Sequence, residues 1–313
     1  MRVSVIVPLY NKAPYVLRSL DSIRAQTFTS FEVIIVDDGS TDGGDRLVDA
    51  YPDERFRLVR QQNAGPGAAR NRGIGCARGE FLAFLDADDV WFPGYLEHSL
   101  ATLTEQAPEA AAVSSGYIDY PEGVSREPMW RARGFREGLQ RVTPHTPPLK
   151  FVHMVAYMSP CNTVARAEAI RRWGGFYSKE GCRYGEDAIL WLKFLLNETA
   201  YFHLRPLTAF YRDAAGLSKN LKRMRPLEPF LLDPEEAARV CPPELRELLR
   251  RFYAIRASKT AAILGYWGQH REARKLLRRY VSLRDCFNPF FVPGLVGCTP
   301  LAGLLGAAWR RFR

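Results

Sequence analysis

Two aspartates separated by one residue, Asp86 and Asp88, are the first side chains whose type and spacing suggest chemistry. They follow an apolar run, so both carboxylates can point into one cleft where the chain leaves a strand. Hard oxygen ligands of this kind suit Mg²⁺ or Mn²⁺, which keep positions open for diphosphate oxygens and water. Such a cation would neutralise the charge of a departing nucleotide diphosphate. The alternative interpretation is a turn or a helix cap, roles in which aspartate is common.

Two further acidic pairs could serve a reaction in which a nucleotide diphosphate departs. Asp37 and Asp38 precede Gly39; a carboxylate can accept the ring N–H of a uracil, and glycine lets the backbone approach a nucleotide closely. Glu186 and Asp187 begin an apolar run, and one of them could remove the proton from an attacking hydroxyl. Each pair also has a purely structural interpretation, since Asp-Gly favours turns and acidic residues favour the first turn of a helix.

Alternating strands and helices must position these groups. Apolar, β-branched runs predict strands buried in a parallel sheet at 3–7, 31–36, 56–60 and 81–85. A helix from Pro14 is predicted to bury Val16, Leu17, Leu20 and Ile23. Further helices are predicted through Val48, over 68–76, from Pro93 and over 188–196. This order predicts an α/β fold with a doubly wound, mostly parallel sheet.

Ligands of such sheets gather beyond the carboxyl ends of the strands, and three of the four predicted ends are rich in Asp, Asn or Gly. Neither G-x-G-x-x-G after the first strand nor G-x-x-x-x-G-K-[ST] occurs, which argues against dinucleotide and P-loop sites. Residues 116–157 carry several prolines and aromatic residues. We expect them to form an irregular lid or binding wall.

Composition excludes several classes of protein. With 313 residues, 47% hydrophobic and 25% charged, the chain is typical of folded proteins and unlike polytopic membrane or disordered ones. The whole net charge of +10 comes from residues 239–313, which hold 15 Lys and Arg but only 4 Asp and Glu. A nucleic-acid enzyme would carry this charge around its cleft, so we expect no nucleic-acid partner. Six cysteines without metal-ligand spacing favour free thiols in a reducing, cytoplasmic compartment.

Residues 287–309 contain no charged side chain and are flanked by Arg284 and by arginines at 310, 311 and 313. The length would suffice for a membrane span, but Pro289, Pro293 and Pro300 would interrupt a single helix. Two interpretations stay open. One is a segment lying on the inner face of the membrane with its basic flanks on anionic lipid, and the other is a helical subdomain.

The order of the motifs carries more information than any one of them. Along the chain stand Val-Ser-Val-Ile-Val-Pro-Leu-Tyr-Asn (3–11), Gln-Thr-Phe (26–28), Asp-Asp-Gly-Ser-Thr-Asp (37–42), Asn-x-Gly (63–65), Ala-Arg-Asn-x-Gly (69–73), Gly-Glu-Phe (79–81), Asp-Ala-Asp-Asp (86–89) and Gly-Glu-Asp (185–187). In this order they resemble the family 2 glycosyltransferases of the GT-A fold over about residues 1–215. The resemblance implies an inverting hexosyltransferase domain, which we place at 1–225, followed by a helical, basic extension at 226–313.

The resemblance also implies roles for single residues. It assigns nucleotide binding to Pro8, Tyr10, Asn11, Asp37, Asp38, Gly65, Arg70 and Asp86. Within that set, Asp38 resembles the carboxylate that reads the base, and Arg70 the residue near the diphosphate. Asp86 and Asp88 match the D-x-D motif that holds Mg²⁺ or Mn²⁺, and Asp187 matches the catalytic base.

Two departures from the family pattern refine the expectation. The Q-x-x-R-W sequence of processive members does not occur, which favours a transferase that adds a single sugar over a polymer synthase. Tyr211-Arg212-Asp213-Ala214 stands where many members have Tyr-Arg-x-His, so the third metal ligand stays open.

By resemblance we expect a nucleotide-sugar donor, with uridine as its first candidate base, a glycan or lipid-linked glycan acceptor, and a role in surface glycan synthesis. Two alternatives stay open. A sugar nucleotidyltransferase would carry a Gly-rich, basic loop after the first strand, which residues 8–12 match poorly. A binding protein without activity is the other, and the intact Asp88 and Asp187 argue against it.

Overall fold

The computed structural model describes residues 3–212 and 226–304. They divide into two compact units. The first contains residues 3–141 and 155–212, and the second contains residues 142–154 and 226–304. Residues 142–154, which we predicted to lie in the catalytic domain, therefore group with the C-terminal helices.

One sheet dominates the described part of the first unit. Its strands are β1 (Val3–Leu9), β2 (Phe31–Asp37), β3 (Phe56–Arg60), β4 (Phe81–Phe84), β5 (Val90–Trp91), β6 (Ala112–Tyr120), β7 (Val124–Ser125), β8 (Gly138–Gln140), β9 (Thr163–Arg166) and β10 (Ala200–Tyr211). The order is β3-β2-β1-β4-β9-β6-β10-β5, with β7 on β6 and β8 on β10. Strands β1 to β4 run parallel to their neighbours in that group, as do β6 and β10. The predicted α/β fold with a mostly parallel central sheet is confirmed.

The helices flank these strands in sequence. In chain order they are α1 (Ala13–Arg24), α2 (Gly44–Asp49), α3 (Pro66–Cys76), α4 (Tyr95–Ala101), α5 (Glu127–Ala132), α6 (Pro148–Tyr157), α7 (Ala167–Arg172) and α8 (Glu186–Asn197). The second unit adds α9 (Pro229–Leu232), α10 (Glu235–Ala238), α11 (Arg246–Tyr266), α12 (His270–Tyr280) and α13 (Phe291–Gly297). A π-helical turn, Thr102–Gln106, continues α4, and short 3₁₀ turns connect other elements.

Helix α1 shows how the sequence pattern places a helix on the sheet. Val16, Leu20 and Ile23 are fully buried, as predicted from their spacing along one face. Leu17 was predicted to join them, but this prediction is wrong, since Leu17 is 39% exposed. It lies one position beyond the buried stripe, so its side chain points toward solvent.

The segment 116–157 is not the irregular lid that its composition suggested. Strand β6 continues to Tyr120, and β7, α5, β8 and α6 follow. Pro128 and Pro148 lie in the first turns of α5 and α6, where a proline needs no hydrogen-bond partner for its nitrogen. Two of the prolines that suggested irregular structure therefore mark helix starts.

Aromatic residues of this segment are core residues. Trp130 is 2% exposed, and its ring centroid lies 5.1 Å from that of Phe135 and 5.0 Å from that of Tyr157. Phe202 on β10 completes the cluster. Trp130, Phe135 and Tyr157 are therefore core residues, whereas Tyr117 and Tyr120 of the same segment are half-buried.

Candidate active site

The polar residues after β1, β2 and β4 begin at one edge of the sheet. In the parallel register Leu9 lies opposite Asp37. The Asp38 N–H donates to the Leu9 carbonyl over 2.8 Å, and the Leu85 N–H donates to the Ile6 carbonyl over 3.1 Å. The chain thus leaves all three strands side by side, and the loops that follow are neighbours.

Asn11 joins the loops after β1 and β2. Its side-chain Oδ1 accepts the Thr41 N–H at 2.8 Å, and its own N–H donates to Ser40 Oγ at 3.1 Å. Asn11 has a φ of 50°, a left-handed conformation that asparagine tolerates better than most residues. Pro8 lies half-buried within β1, and Tyr10 is 44% exposed at the rim.

Asp38 organises the loop after β3. Its Oδ1 accepts hydrogen bonds from Gln61 Nε2 and the Ala64 N–H, both at 2.8 Å, and its Oδ2 accepts the Gly65 N–H at 2.9 Å. The side chain is buried, and these three donors fix its orientation. Asp37 beside it accepts the Ser40 N–H through Oδ1 at 3.0 Å. A role in reading the base stays a prediction for both.

Glycines let helix α3 approach the segment that precedes α8. Gly65 has a φ of 93°, and a Cβ there would lie 2.7 Å from the Cys182 carbonyl oxygen. A Cβ at Gly67 would lie 2.3 Å from the Tyr177 carbonyl oxygen. Asn71 fixes the same contact, since it donates to the Phe176 carbonyl at 2.7 Å and accepts its N–H at 2.8 Å. Only glycine fits at positions 65 and 67, so α3 and this segment form one rigid wall.

Arg70 on α3 connects the D-x-D motif to α8. Its Nη2 lies 2.6 Å from Asp86 Oδ1, and its Nη1 lies 2.6 Å from Glu186 Oε1. The Arg70 side chain is 4% exposed and the Glu186 side chain 10% exposed, so their ion pair forms in a low-dielectric setting, whereas Asp86 is 37% exposed. Two residues 116 positions apart are thereby held in one cluster. Glu186 is committed to this ion pair.

Asp88 is paired with a lysine that the sequence reasoning passed over. Lys12 Nζ lies 2.5 Å from Asp88 Oδ2, and Arg18 Nη2 donates to the Asp88 backbone carbonyl at 2.8 Å. Burial and the nearby Asp86 raise the pKa of Asp88, and Lys12 opposes this shift. The position of Lys12 directly after Asn11 at the end of β1 was the signal that could have indicated its role.

The D-x-D carboxylates each offer an oxygen of the type that divalent cations bind. Asp86 pairs with Arg70 through Oδ1 and Asp88 with Lys12 through Oδ2, so each keeps a second oxygen for which residues 3–212 supply no ion pair. Asp86 is also 37% exposed, which leaves room for exogenous oxygen ligands. These are hard oxygen donors of the kind that Mg²⁺ and Mn²⁺ prefer.

A second potential ligand set includes two residues that were not predicted. Ligand atoms of Asp86, Asp89 and Cys161 all lie within 4.8 Å of one another. Cys161 is buried and its Sγ accepts the Asp86 N–H at 3.3 Å. Asp89 Oδ1 accepts the Tyr211 N–H at 2.9 Å. Asp88 lies outside this second set. Asp86 is therefore the ligand that this set shares with the D-x-D pair.

Tyr211 and Arg212, the described part of the variant Tyr-Arg-x-His position, have structural contacts. The Arg18 guanidinium lies 3.4 Å from the Tyr211 ring centroid, and Arg212 Nε donates to Asp119 at 2.5 Å. Positions 213 and 214, where the family histidine would fall, lie outside the described residues.

Asp187, the predicted catalytic base, has a raised pKa. It lies in the first turn of α8, directly after the Arg70-bound Glu186, and is half-buried. Burial, with the negative charge of Glu186, raises the pKa of Asp187 to about 7, while Arg70 lowers it. The negative charge of Asp86 also raises this pKa. A carboxylate with a pKa near neutrality can both accept and release a proton under physiological conditions.

Comparison with known proteins identifies the family. The sequence profile of glycosyl transferase family 2 matches residues 4–161, just over half of the chain. The chain belongs to glycosyl transferase family 2. The profile covers strands β1 to β8 from residue 4 onward, together with Arg70, Asp86 and Asp88, and it ends before β9, β10 and Asp187. Membership of this family is what the ordered motifs predicted.

Relatives of this glycosyltransferase support the same assignment. The glycosyltransferase GlyG of Streptococcus pneumoniae serotype 4 is 38% identical over 125 residues, which are 38% of this chain and 40% of GlyG. The chain thus spans less than half the length of this curated relative.

Solved structures resemble the whole chain. TarS of S. aureus, in complex with UDP, has a TM-score of 0.63 at 19% identity, covering 100% of this chain and 92% of TarS. The mannosyltransferase PcManGT of Pyrobaculum calidifontis, in complex with GDP-Man and Mn²⁺, has a TM-score of 0.54 at 20% identity, covering 99% and 87%. These likenesses confirm the GT-A fold.

Proposed function

We propose that this glycosyltransferase moves one sugar, with inversion, from a nucleotide-diphosphate donor to an acceptor hydroxyl at the site around Arg70. The observation that carries the proposal is the bridge from Arg70 to both Asp86 and Glu186, at 2.6 Å each. It links Asp86 of the D-x-D motif to Glu186, the residue next to Asp187, and this supports a site where a leaving diphosphate and an attacking hydroxyl meet. Such proximity is a large part of what an enzyme contributes to a two-substrate reaction.

In the proposed reaction Asp187 acts on the acceptor. Its carboxylate takes the hydroxyl proton as the acceptor oxygen forms a bond to the anomeric carbon of the donor sugar. The bond from that carbon to the diphosphate oxygen breaks, and the nucleoside diphosphate leaves on the opposite face. Glu186 is a poor candidate for the base because its carboxylate is buried and already bound to Arg70.

We propose Asp86 and Asp88 as the residues that hold Mg²⁺ or Mn²⁺, with Asp89 or Cys161 as candidates for a third ligand. A bound divalent cation supplies neutralisation of the diphosphate charge as the nucleotide departs. The Mn²⁺ in the PcManGT complex supports a cation at this fold position without identifying which one this enzyme uses.

The donor base, the acceptor and the cellular setting are also proposals. Uridine is favoured because the TarS complex contains UDP and covers the whole chain in the comparison. Nucleotide binding would involve Pro8, Tyr10, Asn11, Asp37, Asp38 and Gly65, the residues that line the strand ends described above. We propose a glycan or lipid-linked glycan acceptor, single-sugar addition, a role in surface glycan synthesis, and a cytoplasmic setting, which suits six free cysteines.

A donor screen tests this function. The enzyme is incubated with UDP-, GDP- and dTDP-sugars, with Mn²⁺, with Mg²⁺ and with chelator, and released nucleotide is quantified. We expect one donor group to release nucleoside diphosphate, and only when a divalent cation is present. Release of pyrophosphate from a sugar phosphate and a nucleoside triphosphate would instead indicate a nucleotidyltransferase. Stabilisation by a donor without turnover, across a broad acceptor panel, would indicate a binding protein.

A further inference from the structure

The end of the second unit exposes its large apolar side chains. Within residues 282–304 only Asp285, Gly294 and Gly297 are buried. By contrast Leu283 is 86% exposed and Phe287 is 95% exposed. Exposed fractions above a third also occur for Val292, Leu295, Val296, Leu301 and Leu304. From 286 to 304 this exposed surface carries no charge.

Helix α13 is oriented by its glycines, which explains this exposure. A Cβ at Gly297 would lie 2.3 Å from the Ala261 carbonyl oxygen of α11, and a Cβ at Gly294 would lie 2.9 Å from the Ser258 carbonyl oxygen. On α11, a Cβ at Gly265 would lie 2.2 Å from Gly297 Cα. The two helices therefore meet backbone to backbone through small residues. A helix that packs through its glycines must turn its large apolar side chains away from its partner.

This pattern is the reverse of a helix in a water-soluble core, where large apolar side chains face inward. Contiguous apolar surface of this kind on a folded protein usually marks an interaction site. The exposure is a consequence of the α11–α13 contact, since no rotation of α13 could bury Val292 and Leu295 without lifting its glycines off α11.

A basic helix borders the apolar segment. Helix α12 buries Ala273, Leu276 and Leu277 and exposes Arg271, Arg274, Lys275, Arg278 and Arg279. Its exposed acidic residue, Glu272, pairs with Lys275 at 2.9 Å. Arg274 Nε donates to the Cys298 carbonyl at 3.0 Å, and His270 Nδ1 lies 3.1 Å from the Gly297 carbonyl. These contacts hold α12 against the end of α13.

We propose that the exposed side of α12 and the apolar residues of 283–304 form a docking face that binds an anionic lipid bilayer surface. Apolar side chains would enter the boundary between headgroups and acyl chains, and the arginines and lysine of α12 would contact lipid phosphates. The attachment is interfacial: within residues 3–212 and 226–304 no helix has the length and apolar character needed to cross a bilayer. Positive charge beside apolar surface favours an anionic membrane over a protein partner, for which the basic residues would need matching acidic ones.

Vesicle sedimentation of the full chain tests the docking face without donor or acceptor. Phosphatidylcholine vesicles with and without phosphatidylglycerol are compared at low and high salt. An apolar variant, Leu283→Ser/Phe287→Ser, removes the two most exposed apolar side chains. A basic variant, Arg271→Gln/Lys275→Gln/Arg278→Gln, spares Arg274 because of its contact with Cys298. The control, Leu139→Ser, changes an apolar residue of the first unit that is 42% exposed.

We expect the unchanged chain and the control to sediment with anionic vesicles only, and salt to weaken this binding. Each basic residue near an anionic surface contributes about fivefold in affinity, so the triple variant should bind about 10²-fold more weakly. The apolar variant should bind more weakly at both salt concentrations. Circular dichroism checks that the variants keep their fold, which is expected because the changed side chains are exposed.

Three results would overturn the proposal. One is absence of binding to anionic vesicles, and the second is equal binding by the unchanged chain and both variants. The third is a dimer that Leu283→Ser/Phe287→Ser dissociates, which would make the docking face an interface between copies of this chain. None of these results depends on whether the chain transfers sugar.

Discussion

Removing the Arg70 side chain should destabilise the first unit far more than breaking a surface ion pair. Arg70→Met keeps an apolar stem but leaves the buried Glu186 carboxylate without its partner. Loss of one member of a buried pair typically costs about 3–5 kcal/mol. Asp86 is 37% exposed and can be solvated, so it should add little to this cost. For a unit of this size, each kcal/mol lowers the melting temperature by about 2–4 °C, which predicts a fall of roughly 6–20 °C.

A double-mutant cycle separates the ion pair from general packing. Glu186→Gln in the Arg70→Met background removes the unpaired charge, so stability should recover by about 2–3 kcal/mol relative to additive effects. The matched control is Arg131→Met, which breaks an exposed pair with Glu127 and should cost about 0.3–0.5 kcal/mol. Chemical denaturation followed by circular dichroism measures all four variants. An Arg70→Met effect no larger than that of Arg131→Met, or strictly additive effects in the cycle, would refute the reasoning.

Three further predictions concern the site. Lys12→Met should tighten Mn²⁺ binding in the absence of nucleotide by about fivefold, because Lys12 competes for Asp88. Electron paramagnetic resonance measures this binding, and Arg24→Gln, at the other end of α1, is the charge-matched control. Weaker Mn²⁺ binding by Lys12→Met would contradict the prediction. Gly67→Ala should lower stability by about 1–3 kcal/mol and should also lower turnover, since its Cβ would lie 2.3 Å from the Tyr177 carbonyl oxygen. The control Gly75→Ala should leave turnover unchanged, because a Cβ at position 75 meets nothing within 4 Å. The kcat/KM should rise about tenfold per pH unit up to roughly pH 7 and then level, as Asp187 becomes ionised. A flat rate profile would argue against Asp187 as the base. The same raised pKa makes the folded state bind more protons than the unfolded state between pH 3.8 and about 7. The contribution of Asp187 to stability therefore falls as pH rises through that window.

Much of the fold could be predicted because strand and helix periods were strong. Strands β1 to β4 and their helices were predicted within a few residues, since β1, β2 and β4 are almost entirely apolar and the buried stripe of α1 is regular. Strands β5 to β10 were not predicted. Strands β5, β7 and β8 have two or three residues each, too few for a period to be detected.

The site was predicted in part for a different reason. Motif order located Asp86, Asp88 and Asp187, but a motif names residues without their partners. Lys12 forms an ion pair with Asp88, 76 positions away in sequence, and Arg70 forms one with Glu186, 116 positions away. Cys161 could not be found by spacing, because β9 enters the sheet beside β4 from a distant part of the chain. Similarly, the aromatic residues of 116–157 look alike in a sequence whether they line a cleft or fill a core.

The convergence of Asp187 with the D-x-D motif is tested most directly by comparing Asp187→Asn with Glu186→Gln on the donor found in the screen. Nucleotide release is measured under single-turnover conditions, and donor affinity is measured by calorimetry with Mn²⁺. In the presence of acceptor, Asp187→Asn should slow nucleotide release by about 10²- to 10⁴-fold, while donor affinity is retained. Glu186→Gln should affect turnover less, because its carboxylate binds Arg70 and not the acceptor. Unchanged turnover in Asp187→Asn, or a larger loss in Glu186→Gln, would contradict the account.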